Sequence, residues 1–379
     1  MTSVYAYPWD VNGDPAAPDL LASLGASSIV MAAAYHSVRA ATPRHPDHRV
    51  VEATSAVYVP VRPAAWGALM PSSAAAWAGE DSFNRAAAQL SLPVKAWVVL
   101  THSSALGRLD PSVCVRNAFG DIYDYALCPS SDDVLAYAHI LVGEIARQTG
   151  VESMVLEACG PLGLGHQSTH EKTAGADWSA VDQALLSICF CTACTASYAA
   201  AGLDVPQLAE RVRSGLGSAS IDEALGPEAK VVLEVRRRAT QALREAVVAE
   251  ARAAGVREIS MHTATDPWAT GPAAAVDSVA EGIDSLIVPA WELTDAGVQR
   301  VHDLRRLGAS RIGAYVTALP PVPAHADTLA THWRSLLAAG ATDLHIYHAG
   351  LASDRRLAAL RTAIASVHPG SRSRDDSAD

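Results

Sequence analysis

Carboxyls, imidazoles and indoles recur at one kind of place in this chain, the end of a short apolar run. Trp9 and Asp10 follow Val4–Tyr7, His36 follows Ser28–Tyr35, and His102 comes just after Val94–Leu100. Glu157 closes the run Ser153–Leu156, His262 follows Glu258–Met261, Trp291 and Glu292 follow Ser285–Val288, and His348 follows Asp343–Tyr347. Carboxyls and imidazoles move protons and hydrogen-bond hydroxyls, while indoles stack on apolar faces. That mixture suits a polar organic ligand with apolar faces, and sugars fit it. Any single histidine could equally be a structural hydrogen-bonder, and either tryptophan could be rim packing. Four histidines on one rim are harder to assign to a core, because buried unpaired polar groups are costly. Glu157 stands apart. An apolar approach (MVLE) predicts partial burial, which raises a carboxyl pKa and suits a general acid that must stay protonated near neutrality. The alternative is a carboxylate neutralised by a nearby arginine.

Two segments beyond Glu157 carry further chemistry. In Gly160–Lys172 (GPLGLGHQSTHEK), Gly163 and Gly165 permit a tight loop, and His166, His170, Glu171 and Lys172 gather polar groups beside Glu157. Histidines at i and i+4 could share a metal on a helix. The glycines oppose a helix starting before His166, so a substrate-binding loop is the preferred reading. Cys189, Cys191 and Cys194 then place three thiols within six residues. A fourth, drawn from Cys128, Cys114 or Cys159 with Cys128 taken first, would complete a tetrahedral zinc site. An all-thiolate shell leaves no open position for substrate, so such a zinc would be structural. The alternative is a buried turn that uses cysteine as a small hydrophobe.

The elements that must position these residues alternate. The seven runs above, with Ile312–Val316 ahead of Thr317, make eight strands that are nearly all apolar, as in a parallel sheet covered on both faces. Helices are predicted over Ala16–Leu24, Ser131–Gln148, Glu228–Ala254, Thr294–Leu307 and Asp327–Ala339, the last three followed by Gly255, Gly308 and Gly340. The count predicts an α/β fold, a (β/α)8 TIM barrel, in which all strand C-termini open onto one face. An open doubly wound sheet usually shows a GxGxxG turn after its first strand, and none is present here. Long βα excursions follow strands 2, 3 and 4, with an extra strand or hairpin expected at Val57–Arg62. A single barrel domain over 1–368 and a polar, disordered tail over 369–379 complete the expectation.

Composition narrows the partners. Half of the 379 residues are apolar, which excludes a disordered chain. With 40 acidic and 29 basic side chains the net charge is −11, which argues against nucleic acid as a partner. No apolar run approaches the roughly 18 residues that a membrane span needs. The start of the chain reads straight into a strand rather than a secretory signal, so a cytoplasmic protein is expected, with cysteines serving as thiols or metal ligands. A small-molecule carbohydrate is the expected partner, and homo-oligomerisation is left open.

A glutamate ending the fourth strand, followed by Cys-x-Cys-x-x-Cys in the next excursion, resembles family 42 β-galactosidases, which are (β/α)8 retaining glycosidases with a four-cysteine zinc cluster. Uncharacterised bacterial glycoside-hydrolase-like barrels are similar over more motifs. The matching stretches are Asn117–Gly120, Leu127-Cys128-Pro129, Glu157 with the loop His166–Lys172, and Cys189-Phe190-Cys191-Thr192-Ala193-Cys194. The resemblance covers roughly residues 95–200. It implies that Glu157 is the acid/base and that Cys189, Cys191 and Cys194 hold zinc. Two positions depart from family 42. Leu156 stands where that family has Asn, and the seventh strand ends Tyr315-Val316-Thr317 without the nucleophilic Glu. The second carboxylate would then be Glu292, Asp10 or Asp266. A metal-dependent sugar isomerase, aldolase or lyase using His102, Glu157, His262 or His348, and a barrel that binds carbohydrate without turnover, are the competing readings.

Overall fold

A computed structural model describes residues 1–165, 171–279 and 281–367. Eight parallel strands form a closed barrel: β1 (Thr2–Ala6), β2 (Ser28–Tyr35), β3 (Val94–Val99), β4 (Ser153–Glu157), β5 (Glu258–Ala264), β6 (Ser285–Pro289), β7 (Ile312–Thr317) and β8 (Asp343–Tyr347). Each strand pairs with its sequence neighbours, and β1 pairs with both β2 and β8, which closes the ring. The chain therefore has the (β/α)8 architecture that the alternation predicts. Strand residues are buried almost throughout, which explains why apolar runs rather than alternating ones mark them.

Of the five principal helices, the first four lie where the sequence puts them, within a residue or two, while the last, after β8, is not among the helices expected from the sequence. They are α1 (Asp132–Thr149), α2 (Glu228–Ala253), α3 (Asp295–Arg306), α4 (Ala326–Ala339) and α5 (Asp354–Val367). Gly255, Gly308 and Gly340 take φ of +97°, +88° and +112°, the backbone state that stops a helix and that L side chains resist. The expected strand at Val57–Arg62 is a correction. Only Ala56–Val57 extends, antiparallel to β2, because Pro60 and Pro63 cannot donate to a ladder. Two hairpins unforeseen in the sequence, Val38–Ala41 with Val50–Ala53 and Cys114–Arg116 with Ile122–Leu127, fill the long excursions. Between β5 and β6 the described residues form no helix, only the two-residue strand Ala274–Ala275.

Side chains, not solvent, fill the barrel. Low in the interior, the hydroxyls of Ser3 and Ser28 lie 2.8 Å apart. Above them Tyr5 stands on the axis, its hydroxyl 3.1 Å from His262 Nε2 and 3.2 Å from His345 Nδ1, with its ring edge-on to Trp97. Gly313 makes room for this layer, since a Cβ there would come within 2.7 Å of the His345 ring.

Candidate active site

Glu157 ends β4, next in register to Val99 of β3, and its side chain turns into the barrel mouth. The residue is only 5% exposed. Trp97 Nε1 donates a 2.7 Å hydrogen bond to Glu157 Oε2, and His262 Nε2 lies 3.8 Å from the same oxygen. Burial pushes the carboxyl up to about 7, with the Trp97 bond acting in the opposite direction. Burial, together with neighbouring His345, holds His262 down at about 3. Glu157 and His262 are therefore not an ion pair, since below pH 7 the first holds its proton and the second is a neutral imidazole. Tyr5 and Tyr315 line this pocket as neutral phenols, their pKa values raised first by burial and then by Glu157.

Asp10 forms a second buried carboxyl in the same mouth. It closes the short turn Pro8–Asp10 after β1, where the Tyr7 backbone N–H donates 2.7 Å to its Oδ2. Burial raises it to about 7, against the lowering effects of that hydrogen bond and of Arg44. Gly350 lies against the carboxyl so closely that a Cβ would fall 1.8 Å from Oδ2. His348, which follows β8, has its Nδ1 3.8 Å from Asp10 Oδ2 and its ring over Tyr7, and burial holds it at about 3. Asp10 Oδ1 and both ring nitrogens of His348 are buried without a hydrogen-bond partner among the described residues. Buried polar atoms of that kind are rare in proteins and mark places where a ligand or ordered solvent completes the bonding. Arg44, from the β2 excursion, donates to the Ala349, Gly350 and Ala352 carbonyls and so fixes the loop that carries His348.

The remaining expected residues divide by burial. Trp9 is buried and stacked on Tyr7 at 4.4 Å, so it acts as packing beneath the rim. His36 and His102 stack on each other at 4.3 Å, His36 also on Tyr35. Trp291 is 40% exposed and stacks on Tyr347 at 5.2 Å, and so presents an aromatic face to solvent. Glu292 is also at the rim, but its carboxylate is bound to Arg300 at 3.0 Å. Burial would raise its pKa, yet the Arg300 bond, a backbone bond and the charges of Arg300 and His332 leave it below the usual value. Asp266 lies in the loop after β5, where its Oδ1 accepts from the Trp268 backbone. Glu171 is exposed and accepts from the Thr173 hydroxyl. His166 and His170 lie outside the described residues. Sequence reasoning missed Tyr5, Tyr7, Tyr35, Trp97, Tyr315, His345 and Tyr347, whose rings wall and floor the mouth. Their signal was alternation inside the strands, for example Tyr5 with Tyr7 and His345 with Tyr347, which marks the inward face of a pleat.

The cysteines form a separate centre. Sulfur atoms of Cys128, Cys189, Cys191 and Cys194 all lie within 4.8 Å of one another, all four residues are buried, and Cys128 and Cys194 approach to 3.5 Å. None is in a disulfide. Thiol hydrogen bonds from Cys128, Cys189 and Cys194 converge on Cys191 and hold it strongly toward thiolate. Four thiols at Zn–S bonds of about 2.3 Å would sit roughly 3.8 Å apart, so the donor set fits a tetrahedral metal ion. Cys128 follows the hairpin strand Ile122–Leu127 and the other three open the helix Thr192–Ala200, so a metal there would clamp the third and fourth excursions together. The remaining two cysteines are elsewhere: Cys114 contacts the Gly107 and Asp110 carbonyls, and burial raises Cys159 to about 12.

No protein-family model and no curated protein matches the sequence. Solved structures match its fold. Over 98% of this chain and 99% of the other, it superposes on the catalytic domain of a β-amylase from Paenibacillus polymyxa, with a TM-score of 0.60 at 12% identity. It also matches α-L-fucosidase isoenzyme 2 from Paenibacillus thiaminolyticus over 97% of its length, with a TM-score of 0.59 at 13% identity. The chain spans about half (49%) of that fucosidase. These barrels share its fold. Among the described residues, no helix is long and apolar enough to cross a membrane.

Proposed function

We propose that the barrel mouth is the active site of a glycosidase-like hydrolase, in which Glu157 protonates the leaving oxygen of a carbohydrate or glycoside and Asp10 is the partner carboxylate. One observation carries the reading: two buried carboxyls in one aromatic-lined mouth are both pushed to about 7 by burial, and are thus poised to hold or release a proton near neutrality. Asp10 is preferred to Glu292 because the latter is already neutralised by Arg300. His348 and the free Oδ1 of Asp10 supply hydrogen-bonding capacity for hydroxyls, and Trp291 supplies a face for the apolar side of a sugar ring. The fold shared with a β-amylase and a fucosidase is compatible with this chemistry, although fold alone never fixes function.

We further assign zinc to the four-cysteine centre, in a structural role, since four thiolates complete the shell. That set is the one group of three or more metal-binding side chains that converges among the described residues, which favours acid–base chemistry over a metal-dependent isomerase at the mouth.

A leaving-group series tests the assignment. Removing a general acid costs about 10²–10⁴-fold, and the loss is concentrated on poor leaving groups. Glu157→Gln should therefore cripple hydrolysis of alkyl and phenyl glycosides while sparing dinitrophenyl glycosides. Equal loss on both would overturn the role of Glu157. Sugar-dependent thermal stabilisation with no turnover across a glycoside panel would replace the hydrolase with a carbohydrate-binding barrel.

A further inference from the structure

A regular barrel has a helix between β5 and β6, and this one has none among the described residues. In its place lies a cleft of about 680 Å³ between α2 and α3. The cleft is walled by Arg236, Arg237, Arg238 and Arg244 of α2 and Arg306 of α3. Five guanidiniums around one cleft stand out in a chain of net charge −11.

Carboxylates account for three of them. Arg237 pairs with Asp277 at 3.2 Å, Arg238 with Glu234 at 2.8 Å, and Arg306 with Asp303. Arg236 and Arg244 have no carboxylate at ion-pair distance among the described residues. Arg236 is only 8% exposed, donates to a single carbonyl (Ala269, 3.3 Å), and leaves its Nε without a partner. Trp268 lies 5.7 Å from its guanidinium carbon. Positions 236, 240 and 244 follow one face of the helix at four-residue spacing, which aligns Arg236, Thr240 and Arg244 along the cleft wall. The other side is reached by Pro161 and Thr265, just beyond Glu157 and His262, and the backbone at Gly160 packs against Thr240.

We infer that this cleft binds a small molecule carrying a phosphate monoester, held between the guanidiniums of Arg236 and Arg244. Two guanidiniums are left without an ion-paired carboxylate among the described residues, because Asp277, Glu234 and Asp303 at the cleft pair with Arg237, Arg238 and Arg306, and a phosphate monoester near neutrality carries close to two negative charges. Guanidinium forks match phosphate oxygens in paired, charge-assisted hydrogen bonds. The Thr240 hydroxyl donates to the Arg236 carbonyl, so the phosphate contacts are left to the two guanidiniums. Arg236 also lies in the field of Tyr198 and of Cys194, Cys189 and Cys128, so it serves the cysteine centre as well as the cleft. Arg244 is the cleaner probe.

Calorimetric titration of the full chain with inorganic phosphate, against sodium chloride at matched ionic strength, tests the site. The expected result is saturable binding and a raised Tm with phosphate alone, affinity at least tenfold weaker in Arg244→Gln, and tighter binding in Asp277→Asn, which removes a competing carboxylate. Arg236→Gln should abolish binding. If that variant fails to fold, Arg244→Gln and Asp277→Asn still decide. Equal stabilisation by chloride, or unchanged affinity in Arg244→Gln, would overturn the proposal. It stands apart from the glycosidase reading, since no glycoside is involved in the measurement.

Discussion

Replacing Glu157 with glutamine should change how stability depends on pH, and the size of the change follows from burial. The folded chain lifts this carboxyl from its ordinary 4.5 to about 7. At about 1.36 kcal/mol per pH unit, that corresponds to roughly 3 kcal/mol. Below pH 4.5 the group is protonated folded or unfolded and contributes nothing. Between 4.5 and 7 the unfolded chain releases the proton while the folded one retains it, so stability falls as pH rises. Above 7 the carboxylate is ionised in both states and the cost of burying it is complete. Glutamine keeps an oxygen to accept from Trp97 Nε1 but cannot ionise. Urea denaturation of wild type and Glu157→Gln at half-unit intervals from pH 4.5 to 8 should show the difference in unfolding free energy moving in favour of the variant by roughly 3 kcal/mol. Titrations of the cysteines and of Asp10 are common to both proteins and cancel. A difference that stays flat to within about 1 kcal/mol would mean that Glu157 ionises at an ordinary pH, and the general acid would be lost with it.

Further outcomes follow from single contacts. Trp97→Phe removes the donor that favours ionised Glu157, so the alkaline limb of a pH–rate profile should move upward by about one unit, as a charge-assisted bond is worth roughly 1.5–3 kcal/mol. Cys191→Ser should lower the metal content of purified protein from about one zinc per chain toward zero by elemental analysis, with a loss of several kcal/mol of stability; unchanged content would dismiss the zinc assignment. Trp291→Ala should weaken sugar binding about tenfold while leaving Tm nearly unchanged, because the indole is 40% exposed. Gly350→Ala would drive a methyl to 1.8 Å from the Asp10 carboxylate, so a stability loss of about 1–3 kcal/mol and displacement of Asp10 are expected by denaturation and activity assays.

The strands and helices were legible because their signals are local. Glycines past three helices needed only their own backbone state, and apolar runs such as SIVMAAAY needed only to be covered on both faces. The excursions were less legible. Val57–Arg62 looked extended by residue type, but its prolines deny it a ladder, and the hairpins at 38–53 and 114–127 depend on partners that local preference cannot choose. The thiol spacing within Cys189–Cys194 was likewise local, while the fourth sulfur had to be found across the fold.

From the sequence alone came the order of the elements, the kinds of group at the strand ends and the burial of Glu157, since each follows from neighbours within a few residues. Tertiary structure decided which carboxyls are available. Asp10 is roofed by Gly350 from the opposite end of the chain, and Glu292 is held by Arg300 at the rim. It also put Tyr5, His262 and His345 in one hydrogen-bonded line beneath Glu157. A carboxyl's pKa depends on the water removed from it and the charges set beside it, and both depend on the surrounding walls, which for Glu157 and Asp10 include side chains as distant in sequence as His262 and His348.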